Sequence, residues 1–369
     1  ASATVPPAVA ASATAARDAA LTRSIRRALG ETAATGAIVG VWQPGRSAYV
    51  RSFGVRERGT RRPMRSDLYM RIGSVTKTFT VTALLQLVDA GRVALDDPIS
   101  KYVPGVISGE TITLRQLASM RSGLVNYTVV DAFDRSLTDD PDRSWTPPQL
   151  LSYAIASPLL FAPGSSMSYS NTNTVLLGLV VEQVSGERIG AYIRRHITAP
   201  LRMTQTSFPS GVRLPSPHAQ GYANSTPDGR IADATNWNPT WTWAAGQMVS
   251  TLRDLRIWAP RLATGRGLLS PATQRLRTAS LRGSDRALVY GLGIFGVNGW
   301  VGHNGSLPGY QTIAIYRPRT RTTVVALVNA DIESRGYAPS TLLGRAITGV
   351  VSPRSVYTLP AAPTDDGDE

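Results

Sequence analysis

Lysine is scarce in this chain. Of 39 basic residues two are lysines, Lys77 and Lys101, and the rest are arginines. Lys77 stands three residues after Ser74 in "RIGSVTKTFTVTALLQLVDAGR", where an apolar segment begins. Positions i and i+3 share one face of a helix. The spacing therefore predicts Ser74 and Lys77 one turn apart at the N-terminus of a buried helix. A lysine desolvated there gives up its charge readily and can take the serine proton, which makes the hydroxyl a nucleophile. The helix N-terminus favours the negative charge that develops on attack. Two more stretches bring chemistry-bearing side chains: "APGSSMSYSNTN", with Tyr169, Ser170 and Asn171 at a loop-to-helix junction, and "WVGHNGSLPGY", with His303, Asn304 and Gly305 on a strand. Each alone has a plain structural explanation: a capping serine beside a surface lysine, a packed tyrosine, a half-buried histidine.

These stretches need a scaffold, and the hydrophobic pattern supplies one. Leu21, Ile25 and Leu29 fall on one helical face that stops at Gly30. "GAIVGVWQPGRSAYVRSFGV" reads as two strands around a turn at Pro44-Gly45. Thr76 to Ala90 is apolar almost all round, which predicts a buried helix ending at Gly91. Thr113 with Gln116, and Thr146 with Pro147 and Gln149, carry helix-start signals. "NTNTVLLGLVVEQVSG" predicts a helix closed by Gly186. "LVYGLGIF", "GWVGH", "GYQTIAIY" and "RTTVVALVN" read as a four-strand meander turning at Arg317 to Thr320, followed by a helix near Pro339 to Ile347. Strands at both ends and helices between predict an α+β fold. Residues 15–75 and 240–355 build a discontinuous domain of antiparallel sheet flanked by helices, and 76–239 form a mainly helical domain. The small-residue start, residues 1–14, reads as a flexible leader and 356–369 as a disordered tail.

Composition narrows the function classes. The chain has 369 residues, a formal net charge of +14 and no cysteine, so it has no disulfide framework and no cysteine metal site. His196, His218 and His303 are far apart, and no metal or other cofactor is expected. The arginines are scattered, with isolated doublets and no basic tract, which argues against nucleic acid and leaves an anionic cell-wall polymer as the partner that charge suggests. No apolar run has the roughly 18 residues of a membrane span. A start without Met suggests an exported chain whose signal peptide has been removed, secreted or wall-associated.

The motifs, taken in order, resemble those of the serine DD-peptidase and class C β-lactamase family, most of all secreted Streptomyces-type D-Ala-D-Ala carboxypeptidases and related D-stereospecific amidohydrolases. The likeness runs from about Ala37 to Asn329 and includes "ITLRQLASMRSGL", "YSNTN", "HAQGY", "YGLGI" and "GHNG" beside the Ser74 segment. It implies a β-lactamase/penicillin-binding-protein-like fold with the active site between sheet and helical domain. It implies Ser74 as the acylated nucleophile and Lys77 as its proton acceptor. Tyr169 would relay protons to the leaving group, its pKa lowered by the nearby lysine. Asn171 would bind the substrate amide, and His303 would take the place of the family's strand lysine. Asn304 and Ser306 would line the site, with the backbone N–H groups of Ser74 and Ser306 as oxyanion hole. Phe133 and Trp243 would shape the pocket. The substrates implied are D-configured peptides, amides or esters, with β-lactams as acylating ligands and a monomeric enzyme. A class C-like β-lactamase, a carboxylester hydrolase and a penicillin-binding sensor or wall-binding module share the motifs. One departure bears on specificity. Gly291 to Trp300 contains no cation where the carboxypeptidases keep an arginine for the substrate's terminal carboxylate.

Overall fold

The computed structural model describes residues 7–281 and 288–361. The chain opens with helix α1, Pro7–Gly30, followed by strands β1, Gly36–Trp42, and β2, Tyr49–Gly54. The short strand β3, Met70–Arg71, leads into a single helical turn, Gly73–Val75, and helix α2, Thr76–Asp89. The helical part continues with α3 (Leu114–Ala118), α4 (Asp131–Asp139), α5 (Pro147–Leu151), α6 (Asn171–Ser185) and α7 (Ile189–Ile193). Strands β4, Tyr222–Ala223, and β5, Ala232–Asp233, form a small ribbon, and β6, Val249–Ser250, pairs with β3. Helices α8 (Leu252–Thr264) and α9 (Pro271–Thr278) precede β7 (Val289–Tyr290), β8 (Phe295–Val297), β9 (Trp300–Leu307), β10 (Tyr310–Arg317) and β11 (Thr322–Val328). Helix α10, Pro339–Val351, closes the fold.

The main sheet has seven strands in the order β2-β1-β11-β10-β9-β8-β7, every pair antiparallel. N- and C-terminal segments meet in it through β1 and β11, which pair from Ala37 with Val328 to Trp42 with Thr323. Alternation along the strands sends residues to two different cores. Val39, Val41, Ile313, Ile315, Val324 and Ala326 face the layer that holds Leu21 and Ile25 of α1 and Leu343 and Ile347 of α10. Ile38, Ala314, Val325 and Leu327 face α8 and the helical part. Trp258 of α8 joins the halves: it stacks on Phe79 of α2 with ring centroids 3.8 Å apart and donates its indole N–H to Thr78 Oγ1 at 2.8 Å.

Several sequence expectations are refined. Helix α1 starts at Pro7, inside the stretch expected as a flexible leader, because alanine-rich sequence propagates a helix readily. At the other end Tyr357 is fully buried against the sheet's outer layer, its N–H donating to Thr348 Oγ1 at 2.8 Å. Of the expected tail, only 362–369 lies outside the described residues. "LVYGLGIF" is two short strands, not one, because Gly291 N–H donates to Ile294 O at 2.7 Å and folds the chain back on itself. The sheet region also contains α8 and α9, which the strand-centred reading passed over.

What positions the candidate site is the approach of β9 to the turn that carries Ser74. A Cβ at Gly305 would fall 1.9 Å from Ile72 O and 3.0 Å from Ser74 N; one at Gly73, where φ is +49°, would fall 2.6 Å from Ser306 N. Only two glycines let these backbones touch. Gly305→Ala is therefore expected to destabilise the protein by about 1–3 kcal/mol and to cut activity more than stability, since it forces the Ser74 turn and β9 apart. Gly349→Ala in α10, where the added carbon meets nothing within 4 Å, is the control and gains about 0.5–1 kcal/mol. Urea midpoints of both variants check this.

Candidate active site

Lys77 sits in the first turn of α2 and is fully buried. Its Nζ has three polar neighbours: Ser74 Oγ at 2.9 Å, Asn171 Oδ1 at 2.6 Å and Ala245 O at 2.9 Å. The last two only accept. A neutral amine has two N–H bonds and one lone pair. As an ammonium Nζ donates to all three; in the neutral form its two N–H bonds go to Asn171 and Ala245 and the lone pair is left for the Ser74 hydroxyl. Burial pushes the Lys77 pKa well below the usual lysine value, in the direction of that neutral form.

Asn171 is the first residue of α6, where its own N–H is accepted by Asn126 Oδ1 at 3.0 Å and its Nδ2 donates to Thr128 Oγ1 at 3.3 Å. The side chain expected to meet a substrate amide is thus engaged as a clamp on Lys77. Tyr169 stands just before that helix, its ring 4.9 Å from Lys77 Nζ and 38 % of the residue exposed at the mouth of the site. Its ring packs against Tyr290 and His303, and its hydroxyl is desolvated and hydrogen-bonded to the Ser74 side chain. Its pKa is raised by burial, and the bond to Ser74 only partly offsets this. The expected lowering by lysine is corrected: desolvation penalises the phenolate, and a lysine itself driven toward neutrality offers little charge to counter it.

His303 lies on β9, 1 % exposed. Nδ1 is 2.5 Å from Asn304 O, and a carbonyl only accepts, so Nδ1 carries the proton. Nε2 then accepts from the Tyr290 hydroxyl at 3.0 Å. Burial takes the His303 pKa down to about 3 against the opposing pull of the Asn304 carbonyl, so the ring is neutral at ordinary pH. Tyr290 was not singled out as a site residue, although "YGLGI" was among the recognised motifs. A tyrosine beside two glycines gives no sign that the turn after it points its hydroxyl at β9.

Ser306 is exposed, its Oγ accepting from Gln311 Nε2 at 3.3 Å, and its backbone N adjoins the Ser74 turn as the Gly73 spacing requires. Asn304 enters through its backbone carbonyl. Phe133 is buried among Tyr127, Trp145, Tyr153 and Trp241, and edges a pocket of about 240 Å³ that also reaches Ser306. Trp243 is not part of that pocket. Its ring packs over Gly178 of α6 and lines a separate cavity with Phe208 and Gln247, while its segment contributes the Ala245 carbonyl.

Because His303 is neutral when folded and takes a proton near pH 6.5 when unfolded, the unfolded state binds the extra proton as pH falls. Stability from this residue is complete above pH 6.5 and is lost toward pH 3, at up to about 1.4 kcal/mol per pH unit. His303→Gln should flatten that limb in urea unfolding series; parallel curves would contradict the assignment. Tyr290→Phe keeps the ring and strands Nε2 without its donor, with an expected loss in kcat/KM of roughly 5- to 150-fold, the effect of about 1–3 kcal/mol.

Residues 21–343 match the family model described as Beta-lactamase. Among solved structures, D-stereospecific amidohydrolase from Streptomyces sp. superposes with a TM-score of 0.80 at 30% identity, covering 91% of this chain and 98% of that one. D-amino acid amidase from Ochrobactrum anthropi SV3, complexed with L-phenylalanine amide, gives 0.79 at 26% identity, with 91% and 97% covered. A curated relative, Protein flp of Staphylococcus aureus (strain MRSA252), is 28% identical over 301 residues, which is 78% of this chain and 57% of the relative. The chain thus spans little more than half the length of that relative. With a family model matched across most of its length and the mixed sheet-and-helix architecture to go with it, the chain belongs to the β-lactamase family.

Proposed function

We propose that the protein is a serine hydrolase that forms an acyl-enzyme at Ser74 on D-configured aminoacyl amides, esters or blocked peptides. The observation that carries this reading is the buried Lys77 amine, 2.9 Å from Ser74 Oγ with its other neighbours both acceptors. In it, Ser74 Oγ–H gives its proton to Lys77 Nζ while Oγ bonds to the substrate carbonyl carbon. The oxyanion is met by the N–H groups of Ser74 and Ser306. Tyr169, kept protonated by burial, donates to the leaving nitrogen or oxygen as its bond to carbon breaks, and Lys77 restores the phenol's proton. Water then cleaves the ester by the reverse proton route. Burial pushes the base down and the phenol up, which separates the acid and base roles. His303, being neutral, supplies no cation in place of the strand lysine; with Tyr290 it forms a fixed wall behind Tyr169.

Likeness to a D-stereospecific amidohydrolase and a D-amino acid amidase supports the D configuration. The stretch without cations supports amides and esters over free carboxylates. The guanidinium beneath it, Arg277, is fully buried, its Nε donating to Leu292 O at 3.2 Å and its Nη2 to Thr78 O at 3.1 Å. The expected result is a kcat/KM for D-phenylalanine amide above that for its L isomer and for a free D-Ala-D-Ala end, the latter by roughly 10- to 150-fold. Lys77→Met should lose about 10²–10⁴-fold in acylation. A p-nitrophenyl D-aminoacyl ester should add mass to the Ser74 peptide under acid quench. Label elsewhere, or a preference for the free carboxylate, would overturn the reading.

A further inference from the structure

The pocket that begins at Ser306 runs along Pro308 over an apolar wall of Phe133 and Trp241 and reaches two acids, Asp134 and Asp331. Asp331 follows β11 and accepts the Gly309 N–H at 2.9 Å. Gly309 lies in the tight β9–β10 turn, where Leu307 pairs with Tyr310, and Asp331 lines the same pocket as Ser306. An amine carried at the end of an apolar stem can reach that carboxylate along the wall.

We propose that this pocket is an acyl-group subsite for a side chain ending in a primary ammonium, such as D-lysyl, with its apolar stem along Phe133 and Trp241 and its ammonium on Asp331. This rests on the proposed acyl-enzyme at Ser74. Three observations support it. The described residues show no ion pair to Asp331, in a chain with 39 basic residues. Its carboxyl is mostly enclosed and pushed up to about 6, chiefly by burial with a contribution from Glu333, so its charge is held at a cost that an arriving cation would relieve. And the wall between it and Ser306 is apolar, which a methylene stem can cover.

Asp331 also ties the β9–β10 turn through Gly309, so the test must separate that role. Asp331→Asn keeps an acceptor for the Gly309 N–H and removes only the charge; its melting temperature should match the wild type. The p-nitroanilides of D-lysine and D-norleucine differ only in the terminal amine. Wild type should favour D-lysine in kcat/KM by at least about tenfold, and Asp331→Asn should bring the ratio near one with the D-norleucine rate kept. A ratio near one in wild type, or one that survives in Asp331→Asn, or one that falls only in Asp134→Asn, would overturn the proposal. Should neither anilide be turned over, the proposed function fails instead, and the subsite is read without catalysis. n-Pentylamine and 1-pentanol are titrated against tryptophan fluorescence, Trp237 and Trp241 lining the pocket. Tighter binding of the amine that vanishes in Asp331→Asn supports the subsite; equal binding overturns it.

Discussion

The whole arrangement depends on a lysine that water cannot reach. Leaving an ammonium in that environment would be costly, and the usual remedy is to drop the proton. Burial drives Lys77 toward its neutral form, and its three partners leave that form a lone pair for the Ser74 hydroxyl. Those partners come from three separate parts of the chain: Ser74 from the turn before α2, Asn171 from the start of α6, Ala245 from the segment before β6. Holding them together calls for an almost wholly buried α2, sealed by Trp258 from the sheet side and by α6 from the helical side. The candidate site therefore lies where the Ser74 turn, α2 and α6 meet β9 of the sheet.

The same desolvation acts with opposite sign on acids and bases. It pushes Lys77 and His303 down and Tyr169 and Tyr290 up. One cause thus yields a neutral amine able to accept, phenols able to donate, and an uncharged imidazole whose tautomer is fixed by a carbonyl on one side and a phenol on the other. No ion pair is needed within this group.

Much of this was legible in the residues. The i, i+3 spacing of Ser74 and Lys77, the apolar run behind them and the pattern of strands at both ends all rest on local periodicity, which sequence carries directly. The capping box at Thr113 and Gln116 is of the same kind and appears as read. What escaped was set by long-range closure. Ala245 contributes only a carbonyl, which any residue has. Tyr290 reaches His303 because a tight turn splits what looked like one strand. Asp331 faces a pocket only after β9, β10 and β11 have paired. The direction of the Tyr169 shift was misjudged because it depends on burial of the hydroxyl, and the sequence shows only the neighbouring lysine.

The chain's second lysine offers a built-in reference for the central claim. Lys101 is exposed and paired with Asp97 at 3.0 Å, a contact that raises its pKa. Carbon-13 labelling of lysine Cε should therefore give two resonances in NMR spectra of the free enzyme. One should titrate above 10.5, as Lys101, and the other well below it, disappearing in Lys77→Met. Two resonances that both titrate at or above 10.5 would mean that Lys77 is an ordinary ammonium, and the account of Ser74 activation would be wrong.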